Sequence, residues 1–182
     1  LVWPTQIEMN PTNPISANVT IPNSTQCNGD SSANISFTQV TGGTGLYEYS
    51  VKNPEEWVVS ATITVPAGVY FPKVNDSNGC IYSLNYGNPI TIVEPSPITF
   101  NSLVSNVTGC SQNVNGSIKV QNPLGGSGTK VTSLDQQNWY SIPYIFNGLG
   151  IGNYVIYVKD TKNCLTNQSI SITGPEKVVI DS

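Results

Sequence analysis

Histidine is absent from this 182-residue chain, methionine occurs once, and only 10% of residues are charged. Without histidine there are no Ser-His or Cys-His nucleophile pairs, and the commonest metal-binding side chain is missing. An average soluble domain is about 25% charged; here Asn, Ser, Thr and Gly take the place of charge. Long helices usually carry Glu, Lys, Arg and Ala on their wet faces, whereas a polar surface of Thr, Ser and Asn suits sheets and turns. The net charge of −4 argues against a nucleic-acid partner, which needs a basic patch to displace counterions, and against binding to an anionic membrane. No apolar run approaches the roughly 18 residues of a membrane span. The chain starts at Leu1 without the pattern of a secretory leader and reads as a processed chain or a piece of a longer one.

What is present is a duplication. Sliding the sequence by 83 residues places Pro14-Ile15 on Pro97-Ile98, Asn23 on Asn106, Cys27 on Cys110, and Gly42-Gly43-Thr44-Gly45 on Gly125-Gly126-Ser127-Gly128. With one or two residues of loop change, Trp57 meets Trp139, Gly68-Val69-Tyr70 meets Gly152-Asn153-Tyr154, and Asp76 to Cys80 meets Asp160 to Cys164. Self-similarity at a fixed period marks a repeat array, and this period is a whole small domain. The division expected is an extension at 1–13, a first repeat at 14–96, a second at 97–175, and at 176–182 the start of a further repeat or a linking strand.

The four cysteines point to an oxidising compartment; the plainer alternative is four buried thiols. Four cysteines allow three connectivities. Pairing Cys27 with Cys80 and Cys110 with Cys164 treats both repeats alike without linking them, and is the expected pattern. Closing a loop of more than 50 residues contributes roughly 4 kcal/mol in the chain-entropy model, which matters in a domain with a thin core.

Strand signals recur every eight to twelve residues between turn residues. The candidates are 33–40, 47–52, 58–65, 68–75, 81–85 and 89–94, then 116–121, 130–134, 142–146, 154–159 and 169–173. The nearly unbroken apolar run Tyr154–Val158 suits a strand covered on both faces. Asp76-Ser-Asn-Gly and Asp160-Thr-Lys-Asn are turns in which Gly79 or Asn163 can take positive φ. No window has a helical period. The expected class is all-β: two tandem immunoglobulin-like β-sandwich domains, each with one intradomain disulfide.

Cys27-Asn28-Gly29, Gly42 to Ser50, Ala67-Gly68-Val69-Tyr70, Asp76 to Cys80 and Glu94-Pro95 together resemble the SprB-type repeat of large bacterial cell-surface adhesins. The second repeat keeps Cys110, the glycine turn, Gly152-Asn153-Tyr154, Asp160 to Cys164 and Pro175. It departs where Tyr47 and Tyr49 become Lys130 and Thr132, and where Gly79 becomes Asn163. The resemblance covers nearly all of the chain except residues 1–13. It implies an extracellular, sandwich-like, non-catalytic module and no particular ligand.

No catalytic residue is expected. Glu55-Glu56 is the one adjacent carboxylate pair, and it reads as a solvated loop. Gly-Gly-Thr-Gly lacks the Lys and following helix of a phosphate loop and reads as a turn. No metal site is expected. Asp76 and Asn78 offer oxygen ligands for calcium, but the twelve-residue loop with its terminal Glu is missing, so a structural turn is favoured. No cofactor is called for. Asn18, Asn23, Asn34, Asn75, Asn106, Asn115 and Asn167 each head a sequon, and Asn23 and Asn106 share a repeat position; these are N-linked glycan sites if the source has the glycosylation machinery and exposed Asn residues if it does not. Trp57 and Trp139 share a repeat position as well and are expected in the core.

At the termini, Leu1, Trp3, Ile7 and Met9 alternate as a strand would, and Val178 and Ile180 continue what looks like the first strand of another repeat. These six are the candidate inter-subunit contacts, with Trp3 the anchor. The function expected is a non-enzymatic structural subunit or segment of an extracellular filament, assembled head to tail through terminal strands added to a neighbouring sheet. Its partners are copies of itself or neighbouring repeats of a longer chain. The alternative is an adhesin module binding glycans or host proteins.

Overall fold

The structure is a computed structural model that describes residues 13–110 and 113–176, with the backbone alone at Asn85 and Tyr86. The chain divides into two compact units. One takes the residues through Thr25 and Gly29–Glu94; the other takes Gln26–Asn28 and the residues from Pro95 on. The described residues are all-β apart from one 3₁₀ turn, as the polar, charge-poor composition implies.

The first unit contains β1 (Ser16–Thr20), β2 (Ala33–Thr41), β3 (Glu48–Ser50), β4 (Thr62–Val65), β5 (Gly68–Tyr70), β6 (Lys73–Asn75), β7 (Ile81–Ser83), the 3₁₀ turn Leu84–Gly87, and β8 (Ile90–Ile92). Its strands form antiparallel sheets ordered β1-β2-β4 and β3-β6-β7, and a pair β5-β8. β2 shows why these residues form a strand: Ala33, Ile35 and Phe37 are buried while Asn34 and Thr38 face water. That period of two places one apolar face against Tyr49, Val51, Val74 and Ile92. Burying a side chain such as Ile35 completely contributes about 1.5–3 kcal/mol. The single strand expected over 68–75 is instead two. Pro72, which has no N–H to give to a ladder, separates β5 from β6 and is itself fully buried.

The second unit contains β9 (Thr99–Ser105), β10 (Gly116–Leu124), β11 (Val131–Ser133), β12 (Tyr140–Ser141), β13 (Tyr144–Leu149), β14 (Gly152–Lys159) and β15 (Leu165–Ile172). Two antiparallel sheets, β13-β10-β9 and β12-β11-β14-β15, share one core. Ile118, Val120 and Phe146 come from the first sheet, and Ile156, Val158 and Ile172 from the second. This is a seven-stranded immunoglobulin-like sandwich. No residue of the run Tyr154–Val158 is exposed, in line with a strand covered on both faces.

The duplication read from sequence extends to backbone detail. Gln39 and Asn122, 83 positions apart, hold φ of 51° and 53°. Each sits at a register shift in its ladder. Asn18 faces Thr38 and Ser16 faces Thr41 in β1-β2; Asn101 faces Gln121 and Thr99 faces Leu124 in β9-β10. The same bulge therefore occupies the same place in both repeats. A further shift between Gly116 and Ser117, opposite β13, coincides with Gly148 at φ 70° and takes up the extra residue that lengthens the offset to 84 beyond this point. Tyr70 donates its hydroxyl to the Pro66 carbonyl at 2.7 Å, and Tyr154 donates to that of Gly150 at 3.1 Å. Both hydroxyls reach back four residues, as in the tyrosine corner of immunoglobulin-like sandwiches.

Candidate assembly surface

In each repeat a buried aspartate organises one end of the unit. Asp76 Oδ1 accepts the N–H groups of Asn78 at 3.0 Å and Cys80 at 2.8 Å, and Oδ2 accepts the Thr44 N–H at 2.9 Å. Asp160 repeats this with Lys162 at 2.8 Å, Cys164 at 3.0 Å and Ser127 at 2.7 Å. The carboxylate thus joins its own turn to the glycine turn of another loop. These donors hold the Asp76 carboxyl below the usual range, the Cys80 N–H foremost. Gly79 and Asn163 adopt positive φ, 80° and 64°, as expected for the turn. The calcium candidates Asp76 and Asn78 are used inside it: the Asp76 carboxylate takes backbone donors, and the Asn78 amide donates to Thr44 Oγ1 at 2.6 Å.

The glycine turn is a close-approach site. Gly42 has φ 75°, and a Cβ there would lie 2.1 Å from the Pro14 carbonyl oxygen; at Gly125, φ 69°, it would lie 1.9 Å from that of Pro97. The next residues, Gly43 and Gly126, donate their N–H groups to the carbonyls of Asn13 at 2.7 Å and Ser96 at 2.8 Å. Only glycine fits where a bare backbone must pass another at positive φ.

The cysteines require a correction. Cys27 is bonded to Cys164, with Cα atoms 5.4 Å apart across 137 residues of sequence; Cys80 and Cys110 are unpaired and exposed. The expected pairs, Cys27 with Cys80 and Cys110 with Cys164, are not formed. The expectation assumed that each compact unit holds its own two cysteines. Gln26–Asn28 instead belongs to the second unit, where the Gln26 side-chain amide donates to the Lys162 carbonyl at 3.0 Å and that of Asn28 to the Pro95 carbonyl at 3.0 Å. These contacts bring Cys27 to the Asp160 turn, which carries Cys164. Pairing requires Cα atoms within about 7 Å, so location decides it and repeat symmetry does not.

The remaining residues singled out by sequence do not converge on one site. Glu55 pairs with Lys73 and Glu56 with Lys52, two separate ion pairs; the Lys73 ammonium holds Glu55 below the usual carboxylate range. Trp57 and Trp139 are half-buried and absent from both cores. Trp139 lies under the Lys159 ammonium, 4.1 Å from its ring centre, an edge position with a cation–π contact. Of the sequon residues, Asn18, Asn23, Asn34, Asn106, Asn115 and Asn167 are exposed and Asn75 is half-buried. The Asn75 Oδ1 is shielded from water without a hydrogen-bond partner, and the Asn115 amide is engaged by Thr108. Leu1, Trp3, Ile7, Met9, Val178 and Ile180 lie outside the described residues. What the sequence reading missed is the carboxylate hub at Asp76 and Asp160; its signal was the recurrence of Asp, with the glycine turn, at matched repeat positions. No helix among the described residues is long and apolar enough to cross a membrane.

No family model and no curated protein matches this chain. Among solved structures it is similar to a C-terminal 282-residue fragment of intimin in complex with the intimin-binding domain of the translocated intimin receptor, at 12% identity and TM-score 0.40, covering 87% of this chain and 64% of that one. The chain therefore spans slightly less than two thirds of the intimin fragment. It is also similar to domains 4 and 5 of the S-layer protein SbsC, at 15% identity and TM-score 0.30, covering 88% and 98%. A third similarity is to the fibronectin(III)-like modules of Clostridium thermocellum CbhA, at 18% identity and TM-score 0.31, covering 86% and 95%.

Proposed function

We propose that this chain is a non-enzymatic structural segment of an extracellular filament or surface fibre, extended head to tail from repeats of this kind. The observation that carries the reading is the Cys27–Cys164 bond: a cysteine of the first sequence repeat is bonded within the second compact unit, so successive repeats interlock along the chain. The disulfide also supports an oxidising, extracellular location. The duplicated bulge, glycine turn and aspartate hub support a unit meant to be strung in series, with stability carried by units and their neighbours. The segments 1–13 and 176–182 are the proposed joints, each adding as a strand to the sheet of a neighbouring copy or repeat.

Electron microscopy of purified material without crosslinker tests this. Long fibres with an axial period near two repeats are expected, and deletion of residues 1–9 is expected to abolish them. Dispersed short rods under all conditions would overturn the filament reading.

The alternative, an adhesin module for glycans or a host protein, is favoured by one feature. Leu46 and Val59 are 85% and 82% exposed and line the same shallow cleft beside Ser77. Binding on a glycan array that is lost in Leu46→Ser is the outcome expected of that reading.

A further inference from the structure

Cys80 and Cys110 are left over by the Cys27–Cys164 bond, and their places in the repeat are complementary. Cys110 stands 83 residues after Cys27 and Cys80 stands 84 before Cys164, the offsets that relate the two repeats at those points. The chain thus contains one bonded pair, first cysteine to last cysteine of the following repeat, and one unbonded example of each half.

The receiving half is already formed at Cys80. Its N–H donates to Asp76 Oδ1 at 2.8 Å and its carbonyl accepts the Asp76 N–H at 3.1 Å. At the bonded Cys164 the matching contacts to Asp160 are 3.0 and 3.1 Å. The surroundings correspond as well. Around Cys164, Cys27 and Asn28 form one wall of a groove whose other wall includes Pro97, Ile98 and Gly126. Around Cys80, Pro14, Ile15 and Gly43 line a groove in the same positions, and among the described residues no counterpart of Cys27 and Asn28 lines it. Cys110, the counterpart of Cys27, is exposed.

We propose that this groove receives the Cys110 segment of a second copy of the chain, and that a Cys110–Cys80 disulfide joins successive copies head to tail. The inference deepens the filament reading and rests on it, adding a covalent bond to the strand-addition joint. Gly109 and Ser111 stand where Gln26 and Asn28 flank Cys27, so the two side-chain amide contacts seen at the bonded joint have no direct counterpart and the covalent bond carries more of the connection. The chemistry is thiol–disulfide exchange. The Cys110 thiolate attacks a small-molecule or protein disulfide and expels one thiolate. The Cys80 thiolate of the next copy then attacks the mixed disulfide at the Cys110 sulfur and expels the second. Two thiols are oxidised, and their two protons and two electrons end on the oxidant, whose disulfide is reduced to two thiols.

The experiment uses the 182-residue chain, oxidised with glutathione disulfide and followed by non-reducing electrophoresis, peptide mass spectrometry and electron microscopy. The unaltered chain is expected to give a ladder of covalent oligomers containing a Cys80–Cys110 peptide. Cys80→Ser alone and Cys110→Ser alone are expected to stay monomeric. A mixture of the two is expected to give a dimer and nothing larger, since each supplies one half of the joint. Both positions are exposed, and an unchanged melting temperature of each variant shows that it folds. Symmetric Cys80–Cys80 or Cys110–Cys110 peptides as the main products, or no covalent species from the unaltered chain, would overturn the proposal. Fibres formed equally well by the double serine variant would sink the disulfide joint and leave the filament reading standing. Covalent head-to-tail dimers that never elongate into fibres would do the reverse.

Discussion

The two units are built to the same sequence plan and differ most where one carries proline. Aligned at an offset of 84, Pro72 in the first unit corresponds to Ile156 in the second. In the second unit β14 runs unbroken from Gly152 to Lys159 and pairs along its whole length with β15. In the first, the equivalent chain is cut into β5 and β6, and the partner segment turns into 3₁₀ at Leu84–Gly87 after only three strand residues. The Pro72 carbonyl still accepts the Leu84 N–H at 3.0 Å. One missing N–H thus converts a long two-stranded ladder into two short ones, while the buried side chain at that position stays apolar. Regularity of the sheet and filling of the core are separable, and this pair of units separates them.

The comparison breaks most severely at Ile156, which is fully buried. Ile156→Pro interrupts the β14 ladder and empties part of the core. The second unit is expected to lose about 2–5 kcal/mol, the range for truncating a buried isoleucine, with the first unaffected. Denaturant unfolding followed by amide exchange in each unit measures this, and a loss below 1 kcal/mol would show that β14 needs no continuity.

Next come the glycine turns, where the units are alike. Gly42→Ala and Gly125→Ala each force a Cβ into a carbonyl oxygen at positive φ. Each is expected to cost its own unit about 1–3 kcal/mol; markedly unequal melting shifts would show that the turns are not equivalent. Smaller again are Tyr70→Phe and Tyr154→Phe, which remove one hydroxyl bond each at about 1 kcal/mol, read as paired shifts in thermal melts. Pro72→Ile sharpens the first contrast at a stability change within about 1 kcal/mol. New amide protection over residues 71–85 is the expected result, and unchanged exchange there would mean that proline is not what divides the ladder.

The aspartate hub adds a pH test. The Asp76 carboxyl is held below its unfolded value, so the folded state binds protons less readily than the unfolded one. Its stabilisation is complete above the ordinary aspartate range near pH 4 and is lost as pH falls through the depressed folded value. Melting of the first unit is expected to drop on acidification below about pH 4, and the Asp76→Asn variant to show a shallower drop. Parallel acid profiles for the two proteins would remove Asp76 as a contributor.

Much of the fold was legible in particular residues. The alternation in Ala33–Phe37, the Gly-Gly turns and the Asp-x-x-Gly and Asp-x-x-Asn turns announce strands and reversals through local sterics, and local sterics are written in the sequence. Less legible were β1, a five-residue strand with one buried position, Ala17, and a buried Ile15 just before it, and the break at Pro72, which the apolar run on either side concealed. Trp57 and Trp139 were expected in the core because they recur, but recurrence marks a shared environment without saying how deep it is.

The cysteines separate the two kinds of information. The sequence by itself determined that the four belong to two equivalent sets, that the chain is all-β, and where its tightest turns lie. These follow from periodicity and backbone sterics within a few residues. Only the tertiary structure decided that Cys27 meets Cys164, because a disulfide depends on two Cα atoms coming within about 7 Å. That proximity arises from three residues, Gln26–Asn28, belonging to the second unit, a placement that no local pattern encodes.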